Sequence, residues 1–431
     1  MRPRILLVNP PVHDFTAYDF WLRPYGLLRV AGGLRRYAEL SLFDFMDRHH
    51  PVRSAGRRPT RDDRWGRGPY RTEMLPRPPA LAEVERRYHR FGVPRQVFQR
   101  FLAETGCWDT VLVQTTMTYW YPGVREIIED VRRYCPRARL VLGGVYATLC
   151  PGHARGLGAD LVVKAGDLEP LHRLLRLDWA ADALPCWELY PRLDTGVLKL
   201  TEGCPYQCTY CAAPRLYPGF RSRLESAVEE AEWLYRLGAR RVALYDDALL
   251  VRSETVLLPF LAQIRRRRLR LEFHTPNALH ARCLSPDVAR AMVAAGCRSF
   301  YLGFESHSTA WHARTGAKVD ADEFAAACDH LRTAGVPPDS ITAYLMLGHP
   351  QCELQELEAS MHYVHALGAR IMLAEYAPVP GTPDGEACRR WIDLDEPLLH
   401  NKTAFARLVL GAAQVNRMKG LANTLNQALS H

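Results

Sequence analysis

Short apolar runs alternate with helical stretches along this chain, and the pattern falls into two blocks. In the first, Ile5-Leu6-Leu7-Val8 reads as a buried strand ended by Asn9-Pro10-Pro11, and Tyr25–Tyr37 places Leu27, Leu28, Ala31 and Leu34 on one helical side. Leu40–Asp44 and Thr110–Val113 read as the next strands. A helix follows over Val124–Tyr134, with Ile127, Ile128 and Val131 at core spacing. Leu140–Leu142, running into Gly143-Gly144, and Asp160–Val163 complete the set. Strands alternating with helices predict a doubly wound parallel sheet, whose ligands lie over the carboxyl ends of the strands. From His49 to about Arg100 the pattern gives way to Arg, Pro and Gly, with one helix expected around Leu81–Arg90 and no chemical role evident.

The second block starts at Val197. Helices are predicted over Ser222–Leu237, from Asp247 to Arg268, and over Pro286–Ala295, Asp322–Ala334 and Leu354–Leu367. Strands are predicted over Val242–Tyr245, Leu269–His274, Phe300–Ser306, Thr342–Leu347 and Ile371–Tyr376. Counting the strand at Val197, six strand–helix units make a partial (β/α)6 barrel with its active site at the carboxyl ends of the strands. The expected organisation is a doubly wound domain over 1–175, a linker over 176–191 with Pro185 and Pro191, the barrel over 192–390, and a helical tail over 391–431.

Composition narrows the class. The 431 residues are 48% hydrophobic and 24% charged, ordinary for a globular protein. No run reaches the ~18 apolar residues of a membrane span, and the amino terminus reads as a strand and not a signal peptide. Three of the twelve cysteines are clustered and the rest scattered, which fits a reducing cytoplasm. The net charge of +9 raises nucleic acid as a partner. Arg57, Arg58, Arg61, Arg64, Arg67 and Arg71 share one irregular segment, however, and Arg265–Arg268 read as a solvated helix end. Neither is accompanied by an RNA-binding signature, so nucleic acid is not expected.

The candidate chemistry lies in Val197–Pro214, where Cys204, Cys208 and Cys211 form a Cys-x-x-x-Cys-x-x-Cys array on a loop leaving a strand. Three thiolates so spaced can hold three irons of a [4Fe-4S] cluster and leave the fourth open to a substrate. Zinc would want a fourth ligand, usually from a second pair, and none of that spacing follows. Three inert buried cysteines are the remaining reading.

The order strand, Gly203-Cys204-Pro205, Cys208, Tyr210-Cys211 resembles the signature of the radical S-adenosylmethionine (SAM) superfamily. The resemblance covers about residues 190–390. It implies that the open iron chelates SAM, that Tyr210 packs near the adenine, that Asp246 and Asp247 receive the amino group of SAM, and that Glu305 reaches the ribose. Lys318 falls near a basic residue pointed at SAM, with one extra residue before it. His349 stands at a turn on the adenine side, where packing is the simpler role, and Pro380-Gly381-Thr382-Pro383 is a structural landmark. Residues 1 to about 175 resemble the cobalamin-binding domain of a subgroup of this family, through Asn9-Pro10-Pro11, Pro24–Leu28, Thr115, Met117-Thr118, Gly143-Gly144 and Gly166. The resemblance implies that Thr115, Gly143 and Gly144 line the groove for the nucleotide tail of cobalamin, with small residues so that backbone and ligand approach closely. The Asp-x-His-x-x-Gly that offers cobalt a histidine is missing, since His13-Asp14 stands in the wrong order. Tyr119, Trp120 and Tyr121 read as core, or alternatively as a cover for the lower corrin face, and a fold kept only for packing is the alternative to cobalamin binding.

The function so implied is reductive cleavage of SAM at a [4Fe-4S] cluster to start radical chemistry on an unactivated carbon, with cobalamin-dependent methyl transfer as the second step. A small-molecule substrate and a reductant such as flavodoxin or ferredoxin are the expected partners. The alternatives are another radical rearrangement, an RNA methylthiotransferase-like enzyme, and a non-enzymatic Fe-S redox sensor. Methylthiotransferases carry three further cluster cysteines in the first domain, whereas Cys107, Cys135 and Cys150 lie far apart in the sequence.

Overall fold

Ile5, Leu6, Leu7 and Val8 are wholly inaccessible to solvent, because their strand is covered on both faces and can be apolar throughout. The structure is a computed structural model and describes residues 2–50, 62–179, 183–316 and 318–429. Its contacts divide the chain into two units, Met1–Asp194 with Asp395–Leu399, and Thr195–Leu394 with His400–His431.

The first unit is built on five parallel strands, β1 (Arg4–Asn9), β2 (Glu39–Asp44), β3 (Thr110–Thr115), β4 (Arg139–Gly144) and β5 (Leu161–Val163). They lie in the order β5-β4-β3-β1-β2. Ile5 and Leu7 pack with Leu27, Ala31 and Leu34 of the helix Tyr25–Leu34, and the helix Tyr121–Tyr134 buries Ile127, Ile128 and Val131 as its spacing predicts. The chain reverses its direction of travel across the sheet between β1 and β3, which makes that point the switch where such sheets take ligands.

Two expectations for this unit are corrected. No helix forms over Leu81–Arg90: a 3-10 turn spans Pro79–Leu81, and Tyr88–Phe91 is the middle strand of an antiparallel sheet with Val12–Asp14 and Thr72–Leu75. Tertiary pairing overrides the helix-forming composition, because the strand buries Arg90 against Glu126 (2.7 Å) and sends the Tyr88 hydroxyl to His13 O (3.1 Å). The 176–191 stretch is not a free linker either. Trp179, Cys186, Trp187 and Tyr190 are buried, Tyr190 donates to Asp44 Oδ2 (2.5 Å), and the Trp179 ring fills the space a Cβ on Gly33 would need. Arg57, Arg58 and Arg61 lie outside the described residues, while Arg67 pairs with Asp63 (2.8 Å) and lies over Trp65.

The second unit carries six parallel strands in sequential order, β6 (Thr195–Leu198), β7 (Arg241–Leu244), β8 (Glu272–His280), β9 (Cys297–Glu305), β10 (Ile341–Leu347) and β11 (Arg370–Glu375). This is the expected open barrel. The third strand runs on past His274 to His280, with a register shift between Thr275 and Leu279. Arg265–Arg268 are exposed at the end of the helix Leu257–Arg266, as expected. In the tail, the helix Ala412–Ala428 covers the last strand. Asn426 accepts from Ile371 N–H and donates to Ile371 O (both 2.8 Å), satisfying an open sheet edge. Asp395–Leu399, by contrast, returns to the first unit, where Glu396 accepts from the Tyr121 hydroxyl (3.2 Å). No helix among the described residues is long and apolar enough to cross a membrane.

Candidate active site

The loop carrying the three cysteines is closed at its base by a two-stranded ribbon, in which Thr201 faces Ser222 and Glu202 faces Arg221. Gly203 opens the loop with φ 75°, and a Cβ there would lie 2.1 Å from Gly219 O, so no other residue fits. Cys204, Cys208 and Cys211 are all partly buried. Burial pushes the three thiols up, and the Lys318 ammonium pulls each of them down. Among the described residues no three His, Cys, Asp or Glu side chains are grouped to hold a single metal ion. A lone ion draws its sulfur donors to ~2.3 Å, whereas a cubane spreads three cysteines over three separate irons. The donor set, three thiols on one loop beside a cation, fits a cluster bearing net negative charge.

Glu305 ends β9 with φ 65°, a left-handed conformation rare for a side chain of its size. Backbone strain of this kind gathers at functional sites. Its carboxylate is buried and meets Lys318 Nζ at 3.4 Å. Gly303 leaves room for that pair, since a Cβ there would lie 2.4 Å from the ammonium. The turn before Lys318 packs on the cluster loop: Thr315 O accepts from Thr209 N–H (3.3 Å), and a Cβ on Gly316 would lie 3.2 Å from Cys208 Cα. Lys318 therefore stands beside both Glu305 and the cysteines, despite its offset in sequence.

Asp246, only 2% exposed, stands two residues beyond β7, the strand next to the cluster strand. Its Oδ1 accepts from Leu200 N–H (2.9 Å), Thr201 N–H (2.6 Å) and the Thr201 hydroxyl (2.7 Å), fixing the lead-in to the loop. Its Oδ2 is buried without a hydrogen-bond partner, and burial pushes the carboxyl up to about 6. Such an atom is costly unless a donor reaches it, and an ammonium would be such a donor. Asp247 is held by Lys199 (3.2 Å), which also donates to the Tyr217 hydroxyl (2.8 Å). Tyr210 stacks on Trp311 (5.7 Å between centroids).

Several neighbours of the loop escape sequence reasoning. Asp384 accepts from the Thr209 hydroxyl (2.5 Å) and pairs with His349 (3.0 Å). His349 is buried in its turn and accepts from Gln351 N–H (3.2 Å). His280 stacks on Tyr206 (4.3 Å), and burial first, then the Lys318 and Arg282 charges, bring it down to about 3, so it stays neutral.

In the first unit, a shallow cleft opens at the switch point, lined by Pro10, Pro11 and Val12 after β1 and by Thr116, Met117 and Trp120 after β3. Met117 is 48% exposed, and Trp120 donates to Asp14 Oδ2 (2.8 Å). Tyr119 and Tyr121 are buried, whereas Trp120 is half-buried and lines the cleft. Thr115 spends its hydroxyl internally, donating to Gly143 O (3.0 Å) and accepting from Ala147 N–H (3.1 Å). Gly144 is demanded by the sheet itself: its φ is 116°, and a Cβ would lie 2.1 Å from Thr115 O. A Cβ on Gly143 would meet only Val163 O, at an ordinary contact distance of 3.9 Å. His13 is engaged with Glu126 (3.2 Å).

Comparison with known proteins agrees with this geometry. Residues 198–364 match the model of the radical SAM superfamily. The fold is similar to that of the radical SAM methyltransferase TsrM from Kitasatospora setae, solved with cobalamin and a [4Fe-4S] cluster (TM-score 0.67, 16% identity, 98% of this chain and 91% of that one). It is also similar to the cobalamin-dependent SAM radical enzyme OxsB (TM-score 0.59, 12% identity, 96% and 56%). By sequence, the chain is 24% identical over 285 residues to the threonylcarbamoyladenosine tRNA methylthiotransferase MtaB of Thermotoga maritima, covering 60% of this chain and 64% of the relative. It is 24% identical over 221 residues to an uncharacterized methyltransferase of Pyrococcus horikoshii, covering 49% and 44%. The matches span less than two thirds of these relatives. The loop of Cys204, Cys208 and Cys211 therefore stands in a segment, residues 198–364, that matches the radical SAM superfamily model, within a chain whose fold is similar to those of TsrM and OxsB.

Proposed function

We propose that this chain is a cobalamin-dependent radical SAM methyltransferase acting on a small molecule, with a flavodoxin- or ferredoxin-type reductant. The observation that carries the reading is the closed loop of three cysteines facing the buried, strained Glu305–Lys318 pair at the carboxyl end of a six-stranded barrel. When bound, the cluster supplies one electron for cleaving SAM, whose deoxyadenosyl fragment abstracts hydrogen, and cobalamin supplies the methyl carrier. Cys204, Cys208 and Cys211 would hold the cluster. Asp246 Oδ2 and Asp247 would receive the amine of SAM and Glu305 its ribose hydroxyls, with Tyr210 beside the adenine. For cobalamin, the surface at hand is the cleft at the β1/β3 switch point and the neighbouring Gly143, where a Cβ would make only an ordinary contact. Since His13 is engaged with Glu126, it would not serve as a ligand to cobalt.

The test is anaerobic reconstitution with iron, sulfide and hydroxocobalamin, followed by reduction with SAM. Formation of 5′-deoxyadenosine is expected, and so is its loss in the Cys204→Ala, Cys208→Ala, Cys211→Ala triple variant. No 5′-deoxyadenosine from the wild type, with a cluster present, would favour a redox sensor. The sequence likeness to methylthiotransferases favours a second reading, in which the first unit holds a further cluster. Cys135 lies beside Cys107, against Gly106 O (3.8 Å), while Cys150 lies near Asp395. Four irons per chain support the first reading and eight the second.

A further inference from the structure

Three segments far apart in sequence meet at one carboxylate oxygen. Asp384 Oδ2 accepts from the Thr209 hydroxyl (2.5 Å) and from His349 Nε2–H (3.0 Å). The direction of the second bond is fixed, because His349 Nδ1 accepts from Gln351 N–H (3.2 Å) and leaves Nε2 as the donor. Asp384 also donates its own N–H back to Thr209 O (3.2 Å), so the two residues are joined through both backbone and side chain. His349 is 1% exposed and is wedged against the rings of Tyr210, Trp311 and Tyr376. A second tie lies further along the loop, where Arg215 Nε donates to Gly381 O (2.7 Å). The turn Gly381–Asp384 is itself pinned, since the Thr382 side chain accepts from Gly385 N–H (3.1 Å).

Thr209 lies between the second and third cysteines of the array, so whatever fixes it fixes where two of the three thiols point. We propose that His349 and Asp384 form a strut that positions the cluster loop and, through the carboxylate's charge, lowers the reduction potential of the cluster. The inference rests on the reading of that loop as a cluster ligand. Burial pushes the Asp384 carboxyl up, but the bonds from His349 and Thr209 outweigh it and hold the group below its ordinary value, so the charge is present. Net charge and hydrogen bonding around a cluster are the levers by which a protein sets its potential. His349 and Asp384 act through Thr209 and are positioning residues.

The experiment uses the full chain, reconstituted with iron and sulfide and titrated against dithionite by electron paramagnetic resonance without SAM. Asp384→Asn keeps an oxygen for both donors and removes the charge, and its midpoint is expected to move to a less negative potential. Thr209→Val removes one hydroxyl from a loop and is expected to retain at most half the wild-type iron after gel filtration, with Thr209→Ser restoring it. Either effect, with thermal unfolding of the unreconstituted protein unchanged, upholds the strut. A wild-type midpoint in Asp384→Asn together with wild-type iron in Thr209→Val overturns it. Absence of iron from the wild type overturns the reading of the loop, and the strut with it; because that result needs no variant, the two failures are distinguishable.

Discussion

Replacing Asp246 by Asn keeps the shape of the side chain and its Oδ1 acceptor while removing a charge that folding has taken out of water. In the folded chain the carboxyl titrates at about 6, against an ordinary 3.8, chiefly because it is buried. Between those values the folded chain holds a proton that the unfolded chain has lost, so stability falls as pH rises through the window. Above about pH 6 the whole penalty is present, roughly 3 kcal/mol at ~1.4 kcal/mol per pH unit; below about pH 4 it has gone. Asn escapes that penalty but puts an unpartnered N–H where Oδ2 was, at roughly 1–2 kcal/mol. The variant should therefore be more stable than the wild type at pH 7.5, by about 1–2 kcal/mol, and less stable at pH 4 by a similar amount. Hydrogen exchange of the amides in Thr195–Leu198 and Arg241–Leu244, without ligands, reads this locally. A loss of equal size at both pH values would refute the argument. If an ammonium of SAM is what Oδ2 awaits, calorimetry on the same variant should find SAM binding weakened by roughly 1.5–3 kcal/mol, about ten- to a hundredfold, despite the gain in stability.

Other substitutions test neighbouring features. Gly203→Ala forces a methyl against Gly219 O and holds a non-glycine residue left-handed, at roughly 1–2 kcal/mol before any overlap; the loop should open and take up less than half the wild-type iron. Lys318→Met leaves Glu305 buried and unpaired and should destabilise the barrel by about 3 kcal/mol. Adding Glu305→Gln should recover more than half of that in denaturant titrations, and simple additivity would speak against the pair. Thr115→Val should destabilise the first unit by about 1–3 kcal/mol, because a buried N–H and a buried carbonyl both lose a partner. Faster exchange in Thr110–Thr115 and Arg139–Gly144, reversed in Thr115→Ser, is the check.

The strand and helix pattern of both units was legible because buried parallel strands are apolar throughout and their helices keep a periodic face. The cysteine array was legible because its ligands lie within eight residues of one another. Tyr88–Phe91 was not, since its strand depends on partners at Val12–Asp14 and Thr72–Leu75, and its local sequence is rich in helix formers. Trp179 and Trp187 in the supposed linker did carry a signal, for aromatic residues of that size seldom sit in solvated chain. The meeting of Thr209, His349 and Asp384 left none, because no spacing rule links residues so far apart. The left-handed backbone of Glu305 is equally invisible in a sequence, where only glycine advertises that conformation.

Asp395–Leu399 belongs to the first unit although the chain has by then traversed nearly all of the second. On the ribosome, the segment carrying Glu396 is made about 200 residues after Asp194, a delay of roughly 10–40 s at 5–20 residues per second. Throughout that interval the Tyr121 hydroxyl lacks the carboxylate it meets in the finished protein. Vectorial synthesis therefore leaves the domain begun first to be completed near the last, and a nascent chain halted in the barrel would carry an unfinished first domain, open to chaperones and proteases.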